Sequence, residues 1–500
     1  MRHPPPARGA ASRSVLARLQ ELRDLDAPTH GGRVLSYVYD SGLAELDGLA
    51  DRAAAIARPL NGLDPTTFPS IAAMERDLVA FVRRALHGEK RRLGGPVVGS
   101  VTSGGTESCL LAVKTARDLW RAEQPRSGRR PKLVAPVTAH AAFQKAARAF
   151  DLEWCPVPCV PDGSVRAADV IRRLDEDVAL VVVSAPAYPS GALDPVGAVS
   201  DAALARGIPC HVDACFGGLA LPWWPDVPAW DFRLPGVTSI SADLHKYGYA
   251  PKGVSVLLHR GRVRHRAQFF ATTRWPGYPV VNPTLLGSRS ASPLAAAWAI
   301  VQRLGADGYR ELTAASVRAT LRISEAVEGI RGLAVQGEPT GPALSLVADA
   351  ALPPSSRVDP HHLADAVARL GFRIQHQPGL AQTNGVRLPH SAHLTITPVT
   401  ERSVRELVGA LTNAADAVRG KPPASATSAV AAMRLLGYGE GGRVPGPTAA
   451  RTILRLAGAA PRGSGTLPTR MAPLMALAEG LPAPVAEALL SELLAWISEP

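Results

Sequence analysis

From about residue 66 to 260 the chain alternates short apolar runs with amphipathic stretches, and this alternation constrains the fold more than any other feature. The runs Val97 to Thr102, Leu133 to Val137, Ala179 to Ser184, Cys210 to Asp213, Val237 to Ser241 and Val254 to Leu258 are too short for helices and read as strands. Between them Glu107 to Leu119, Ala141 to Phe150, Ala167 to Leu174 and Val196 to Ala205 carry helical spacing. Such alternation predicts an α/β fold, a mainly parallel sheet with helices on both faces. Further on, helices are predicted at Pro293 to Leu304 and Arg310 to Gly329, and residues from about 330 to 418 read as strand-helix-strand units of a smaller second domain. Lys421 to Ser425 and Gly437 to Pro447 look like linkers, and Met471 to Ile497 is expected to be helical. The expected division is an N-terminal segment 1–65, a large domain 66–315, a small C-terminal α/β domain 316–419 and a linker-rich helical extension 420–500.

The balance of charge narrows the partners. A formal charge of +12 would suit nucleic acid, but the arginines are scattered, aromatics make up 5%, and no RNA-binding, zinc-finger or helix-turn-helix pattern accompanies them. No nucleic-acid partner is expected. Five cysteines, Cys109, Cys155, Cys159, Cys210 and Cys215, are few and odd in number, which argues against a disulfide framework. Cys155 and Cys159 lack a second pair at zinc-ligand spacing, so no metal is expected. The start, Met1-Arg2-His3-Pro4-Pro5-Pro6, has no apolar core of a signal peptide, and the apolar stretch Val178 to Val183 is too short to span a bilayer. A cytoplasmic protein without a transmembrane segment is the expectation.

Lysine is scarce: seven among 55 basic residues, two of them six apart at Lys246 and Lys252. An ε-amine can lose its proton when desolvated and act as a nucleophile, which a guanidinium cannot. Lys246 is therefore a candidate Schiff-base residue, against the commoner reading of a solvated loop lysine. Two other elements bear on the choice. Val97 to Thr102 runs through Ser103-Gly104-Gly105-Thr106-Glu107-Ser108 into a helix, a turn whose amides and helix dipole suit a phosphate. It lacks Gly-Lys-Ser/Thr and dinucleotide spacing, and alone it is equally a plain tight turn. Asp213 ends an apolar strand, at the edge where open parallel sheets bind ligands; alone it is a cap or turn residue. A phosphate cradle, then an acid, then a lysine, each after a different strand, is the order that a pyridoxal 5'-phosphate enzyme of fold type I requires: phosphate, ring nitrogen and aldehyde carbon are held by separate parts of one sheet.

The motifs Thr102 to Ser108, His140-Ala141-Ala142-Phe143 with Lys145-Ala146-Ala147, His211-Val212-Asp213-Ala214-Cys215, and Ser241-Ala242-Asp243 with His245-Lys246-Tyr247-Gly248-Tyr249-Ala250-Pro251-Lys252-Gly253 resemble the sphingosine-1-phosphate lyase family, within the pyridoxal-phosphate group II decarboxylases. The likeness continues through Trp275-Pro276-Gly277, Pro283-Thr284 and Gly287-Ser288-Arg289, covers roughly residues 30 to 415, and extends to the tail from Ala472 to Trp496. It implies a fold type I transferase with a seven-stranded, mainly parallel large-domain sheet. In that fold Lys246 would bind the cofactor aldehyde, Asp213 the ring nitrogen, His140 the ring face, and Gly105, Thr106 and His245 the phosphate. The resemblance also implies that Ser288 reaches the phosphate from a neighbouring subunit, hence a homodimer with shared active sites and the segment 1–65 at its interface. Tyr39 and Lys252 match positions beside the substrate's own phosphate or its scissile bond.

Two reactions fit this scaffold. A lyase would break the bond between the amine-bearing and hydroxyl-bearing carbons of a phosphorylated long-chain amino alcohol, giving a fatty aldehyde and phosphoethanolamine. An L-amino-acid decarboxylase would release carbon dioxide. The family's Asn-Pro-Leu-His-Pro-Asp here reads Asn61-Gly62-Leu63-Asp64-Pro65-Thr66, and a carboxylate at the substrate-binding position 64 repels a phosphate. Arg33 and Lys252 are the cations available to compensate. Leu388 to Thr395 resembles the lyase strand and lacks the arginine that decarboxylases place there, though Arg387 lies just outside it. The lyase is the leading reading. A non-catalytic relative is disfavoured because every cofactor position holds a competent residue type.

Overall fold

A computed structural model describes residues 9–89, 95–124, 128–460 and 470–499. Seven strands, β1 (Val97–Thr102), β2 (Lys132–Pro136), β3 (Glu153–Val157), β4 (Val178–Ser184), β5 (Cys210–Asp213), β6 (Val237–Asp243) and β7 (Ser255–Arg260), form one sheet in the order β1-β7-β6-β5-β4-β2-β3. Only β7 opposes the rest, pairing antiparallel with both β1 and β6. The other six point their carboxyl ends to one edge. Every residue of β4, β5 and β6 is buried, and β4 accordingly reads as a nearly continuous apolar run rather than an alternating one, while β5 and β6 carry buried polar residues, His211, Asp213, Ser239, Ser241 and Asp243 among them. The sheet is thus mainly parallel, as the sequence predicted. Strand β3 escaped the sequence reading: it lies at the sheet edge, begins with an exposed Glu153 and contains Pro156, so its apolar signal is weak.

Helices α1 (Ser12–Arg23), α2 (Ala44–Ala57), α3 (Pro69–Ala85) and α4 (Gly105–Glu123) precede or cover the sheet. The helix α4 springs directly from β1 and buries Leu110, Leu111 and Val113. The two helices predicted near 293 and 310 form one long helix, Ser292–Glu328, interrupted at Gly305, whose φ of 56° only glycine adopts cheaply.

A second core gathers Leu344, Leu346, Leu363, Phe372, Leu394 and Leu407 around a four-stranded antiparallel sheet, ordered Leu333–Val335, Ala343–Ala348, Ser391–Thr395, Gln375–Gln377. The N-terminal segment is threaded into it: Val34 bridges Arg373 and Leu35 is 1% exposed there. Two helices, Thr427–Leu435 and Pro447–Leu456, follow the stretches Lys421 to Ser425 and Gly437 to Pro447 that read as linkers, and were not predicted from the sequence. They pack with Ala472–Gly480 and Ala483–Ser498 around Met433, Leu454, Val485 and Leu489. The tail predicted as one helix is two, because Pro482 cannot continue the first and starts the second. Residues 461–469 of this region, and the N-terminal prolines at 4–6, lie outside the described residues. Among the described residues no helix is long and apolar enough to cross a membrane.

Candidate active site

The carboxyl edge of the sheet opens into a cavity of about 540 Å³ lined by Tyr39, Gly105, Thr106, His140, Asp213, His245 and Lys246, with Tyr188, Phe216 and Asp243 among its other walls. These seven come from five separate stretches of sequence. The cradle follows β1, Asp213 closes β5, and Lys246 stands three residues beyond the end of β6. His140 lies on the turn before the helix Ala142–Phe150, its Nδ1 accepting the Ala142 N–H at 3.1 Å.

The backbone at the cradle is packed as tightly as a bound phosphate demands. A Cβ at Gly105 would sit 2.7 and 2.8 Å from the Asp243 carboxylate oxygens and 2.8 Å from Cys215 Sγ, so no side chain fits. The turn is braced by Glu107, which accepts the N–H of Ser103 at 2.6 Å and that of Leu285 at 2.6 Å. Free amides of the first turn of α4 add the positive end of its dipole.

Asp213 is held through Oδ1, which accepts the Cys215 N–H at 3.0 Å and the Ser241 hydroxyl at 3.3 Å. Because Ser241 donates its proton to Asp213, His211 Nε2, 3.2 Å from that hydroxyl, must donate to it, and His211 Nδ1 accepts from Ser239 at 2.9 Å. Burial pushes the His211 imidazole down to about 4, so this relay is neutral and puts no competing cation beside Asp213. Behind it lies Asp194. Burial, opposed in part by hydrogen bonds from Ser184, with added repulsion from Asp213, pushes its carboxyl up to about 7.

Lys246 departs from the expectation that desolvation frees its amine. Burial does disfavour the ammonium, yet the Asp243 carboxylate 3.0 Å away outweighs it and holds the amine well above the usual lysine range. Asp243 is kept ionised against its own burial by Lys246 and by His245, 3.4 Å away, and its Oδ1 is buried without a hydrogen-bond partner. Asp243 was quoted in the sequence only as part of a motif. Its place at the end of β6, three residues before the lysine, was the available signal. Tyr188, Tyr37 and Gln375 went unseen altogether: the Tyr188 hydroxyl donates to Gln375 Oε1 at 2.7 Å, and Gln375 Nε2 donates to Tyr37 at 2.6 Å. These three link the large domain, the small domain and the N-terminal segment above the cavity, and nothing in their local sequence marks them.

Lys252 lies beside the cavity rather than in its wall, with Nζ donating to the His245 carbonyl at 3.0 Å and standing 4.5 Å from the centre of the Tyr39 ring. Burial, with repulsion from Lys246 and partial relief from Asp243, lowers its amine to about 8. Burial drives the Tyr39 phenol well above its usual range despite Lys246, so at neutral pH it is a hydrogen-bond donor.

Asp64 and Ser288 are not brought into this cavity. Asp64 lines a separate cleft of about 1280 Å³ that also holds Arg76, Tyr278 and Arg289. Its carboxylate caps the following turn, accepting from Thr66 Oγ1 at 2.5 Å and Thr67 Oγ1 at 2.6 Å, and these bonds hold it well below the usual carboxylate range. Ser288 Oγ accepts from Asn61 Nδ2 at 3.1 Å, tying it to the same segment. Of the two compensating cations, Arg33 is engaged by Glu406 and lies over the Phe372 ring, so it is no part of the site. Arg387 is likewise taken, by Glu479 at 2.9 Å.

The cavity fits pyridoxal phosphate on its own terms: a glycine cradle with no room for a Cβ, a pinned carboxylate at a strand end, and a lysine amine opposite an unpartnered carboxylate oxygen. Gly105, Thr106 and His245 would hold the phosphate, Asp213 the ring nitrogen, His140 the ring face and Lys246 the aldehyde carbon. Comparison with known proteins agrees. Residues 41–329 match the pyridoxal-dependent decarboxylase conserved domain. The sphingosine-1-phosphate lyase of Arabidopsis thaliana is 33% identical over 442 residues, 86% of this chain and 76% of that protein. A probable L-aspartate decarboxylase of Pyrococcus furiosus is 29% identical over 338 residues, 67% of this chain and 87% of that one. Among solved structures, the Burkholderia pseudomallei sphingosine-1-phosphate lyase superposes with a TM-score of 0.75 at 33% identity, covering 87% of this chain and 96% of that one. Lactobacillus brevis glutamate decarboxylase, at 20% identity and a TM-score of 0.73, shares the fold. A cofactor site assembled in this order, on this sheet, with these relatives, makes the chain a pyridoxal-phosphate-dependent lyase belonging to the sphingosine-1-phosphate lyase family.

Proposed function

We propose that the protein cleaves a phosphorylated long-chain amino alcohol of the sphingosine-1-phosphate type into a fatty aldehyde and phosphoethanolamine. The observation that carries this reading against decarboxylation is the absence of arginine among the described residues lining the cavity, with Arg387 committed to Glu479. A substrate α-carboxylate therefore has no guanidinium to grip it. Tyr37, Tyr39, Tyr188 and Phe216 supply aromatic walls suited to an alkyl chain, and Lys252 supplies a cation for a phosphate. The relatives named as sphingosine-1-phosphate lyases support the same substrate class.

Pyridoxal phosphate supplies an electron sink for a bond broken at the amine-bearing carbon. The protein's part is to choose the bond. Asp213, pinned by Ser241 and the Cys215 amide, would hold the proton on the ring nitrogen. Tyr39 remains a donor and orients an oxygen of the substrate, while Lys252 holds the phosphate at the far end, so that the carbon–carbon bond is the one set for cleavage. Ser288 completes the phosphate site of a second copy, which makes the working unit a homodimer. The exposed side chains of Phe270, Trp275, Tyr278 and Val281, in the same stretch as Ser288, support a covered face there. Five cysteines that form no disulfide support a reducing, cytoplasmic setting.

The test is a substrate panel on cofactor-loaded enzyme with product identification. A phosphorylated long-chain base is expected to yield aldehyde, with no carbon dioxide from amino acids. Carbon dioxide from an amino acid, without turnover of the phosphorylated base, would establish the decarboxylase instead.

A further inference from the structure

Four of the thirteen histidines, His361, His362, His376 and His390, fall within thirty residues of the small domain, far in sequence from the cofactor ligands. Three side chains from different elements converge there. His361 lies on the helix Pro360–Arg369, His390 precedes the strand Ser391–Thr395, and Glu479 lies on the C-terminal helix Ala472–Gly480. One nitrogen of each histidine and one oxygen of Glu479 all lie within 4.8 Å of one another. His361 Nε2 is 2.9 Å from Glu479 Oε1, and His390 Nδ1 is 3.6 Å from Glu479 Oε2.

These separations suit a metal. Two ligand atoms each about 2.0–2.1 Å from a tetrahedral zinc ion stand roughly 3.3 Å apart; His361 lies 2.9 Å from Oε1 of Glu479 and His390 3.6 Å from the other oxygen, Oε2, so both carboxylate oxygens face the imidazoles at close to that spacing. The 3.6 Å approach of His390 is too long for a good hydrogen bond. The second nitrogen of His390 is oriented as a metal-bound imidazole requires: Nε2 lies 2.8 Å from Asp359 Oδ2, and Asp359 is itself fixed through Oδ1 by the His362 N–H at 2.9 Å. His361 is 2% exposed and its Nδ1 has no hydrogen-bond partner, an unsatisfied nitrogen within a buried polar cluster. Glu479 also receives Arg387 at 2.9 Å, and His376, whose ring centre is 5.5 Å from that of His361, contacts Asp365 at 3.2 Å.

We propose that His361, His390 and Glu479 bind a divalent transition metal of the zinc type, with Asp359 as the carboxylate behind His390. Two imidazoles and a carboxylate favour zinc over magnesium or calcium, which take oxygen ligands. The sequence predicted no metal, because the ligands are spread over more than a hundred residues and include no cysteine. The consequence is mechanical. Glu479 belongs to the C-terminal helices and both histidines to the small domain, so the metal clasps one onto the other beside the contact in which Asp365 accepts the N–H groups of Met471 and Ala472.

The experiment uses the full-length, cofactor-loaded enzyme, because Cys109, Asp213 and Cys215, the other clustered donors, line the cavity that the cofactor would fill. After chelator treatment, zinc chloride is titrated calorimetrically, with magnesium chloride as control. One zinc per chain is expected, with affinity reduced at least tenfold in His390→Ala and in Glu479→Gln and unchanged in His362→Ala, and with slower amide exchange in residues 472–498 once zinc is bound. Cobalt chloride added to the unaltered enzyme is expected to give the intense visible bands of a tetrahedral site, a readout that requires no variant to fold. Absence of saturable zinc uptake, uptake that survives both substitutions, or octahedral cobalt spectra overturns the proposal.

Discussion

At the scale of single residues, the site is defined by how charge is arranged around one amine. Lys246 is paired with Asp243, whereas Lys252, with only partial relief from that carboxylate, is lowered to about 8. A group lowered in this way loses its charge as pH rises through 8. If its role is to hold a phosphate, kcat/KM for a phosphorylated substrate falls above pH 8, and in Lys252→Arg that alkaline limb moves upward because a guanidinium stays charged. A rate that instead rises through pH 8, and is abolished by arginine, would assign Lys252 as a base. Asp194 gives a stability prediction of opposite origin. Burial pushes its carboxyl up to about 7, above the ordinary aspartate range that it regains on unfolding, so the folded chain binds a proton more tightly. The resulting stability is fully present below the unfolded value and is lost as pH rises through 7. Asp194→Asn should therefore flatten the fall in denaturant midpoint between about pH 4 and 7; an unchanged slope would mean that Asp194 is ionised throughout. Lys246 and Asp213 were legible because they stand in an order that only a cofactor explains. Asp194 was not, since a carboxylate buried by the fold looks in sequence like any turn residue.

Among elements, what the sequence carries well is the periodic middle of each one. The strands β1, β4, β5 and β6 stand within two residues of their predicted ends, because each holds β-branched residues in a short run bounded by turns, and β4, buried on both faces, is apolar almost throughout. The ends of elements are another matter, and the site is built from ends. Whether Gly104-Gly105 is a cradle or an ordinary turn depends on what packs behind it, namely Asp243 from β6 and Cys215 beyond β5, and that is tertiary information. The distinction is testable. A methyl group at Gly105 must displace a carboxylate or a thiol, an overpacking of about 1–3 kcal/mol. Gly105→Ala is accordingly expected to weaken pyridoxal phosphate binding by ten- to a hundredfold, read from the visible absorbance of the bound cofactor on titration, while far-ultraviolet circular dichroism is unchanged. Affinity equal to that of the unaltered protein would show that the cradle yields and that the phosphate sits elsewhere.

For the whole molecule, the sequence placed Ser288 and Asp64 at the site and the single chain keeps both out of it. The reason is geometric. Asn61 binds Ser288, Asn61 bridges Ser290, and Asp64 faces a different cleft, so this segment is tied together outside the cofactor cavity of its own chain. If Ser288 serves a cofactor phosphate, as proposed above, it does so on a second copy, because it lies outside its own chain's cavity. Subunit mixing decides the point. Lys246→Ala removes the attachment point in the chain that carries it, and Ser288→Asp sets a negative charge against whichever phosphate that serine touches. Each homodimer is expected to be inactive or nearly so. In a mixed dimer, the Lys246 of the Ser288→Asp chain would meet the unaltered Ser288 of its neighbour, restoring one complete site. With random pairing half of the dimers are mixed and each carries one working site of two, so co-expression is expected to recover about a quarter of the unaltered specific activity. If Ser288 served its own chain, the surviving lysine and the aspartate would share one site and mixing would restore nothing.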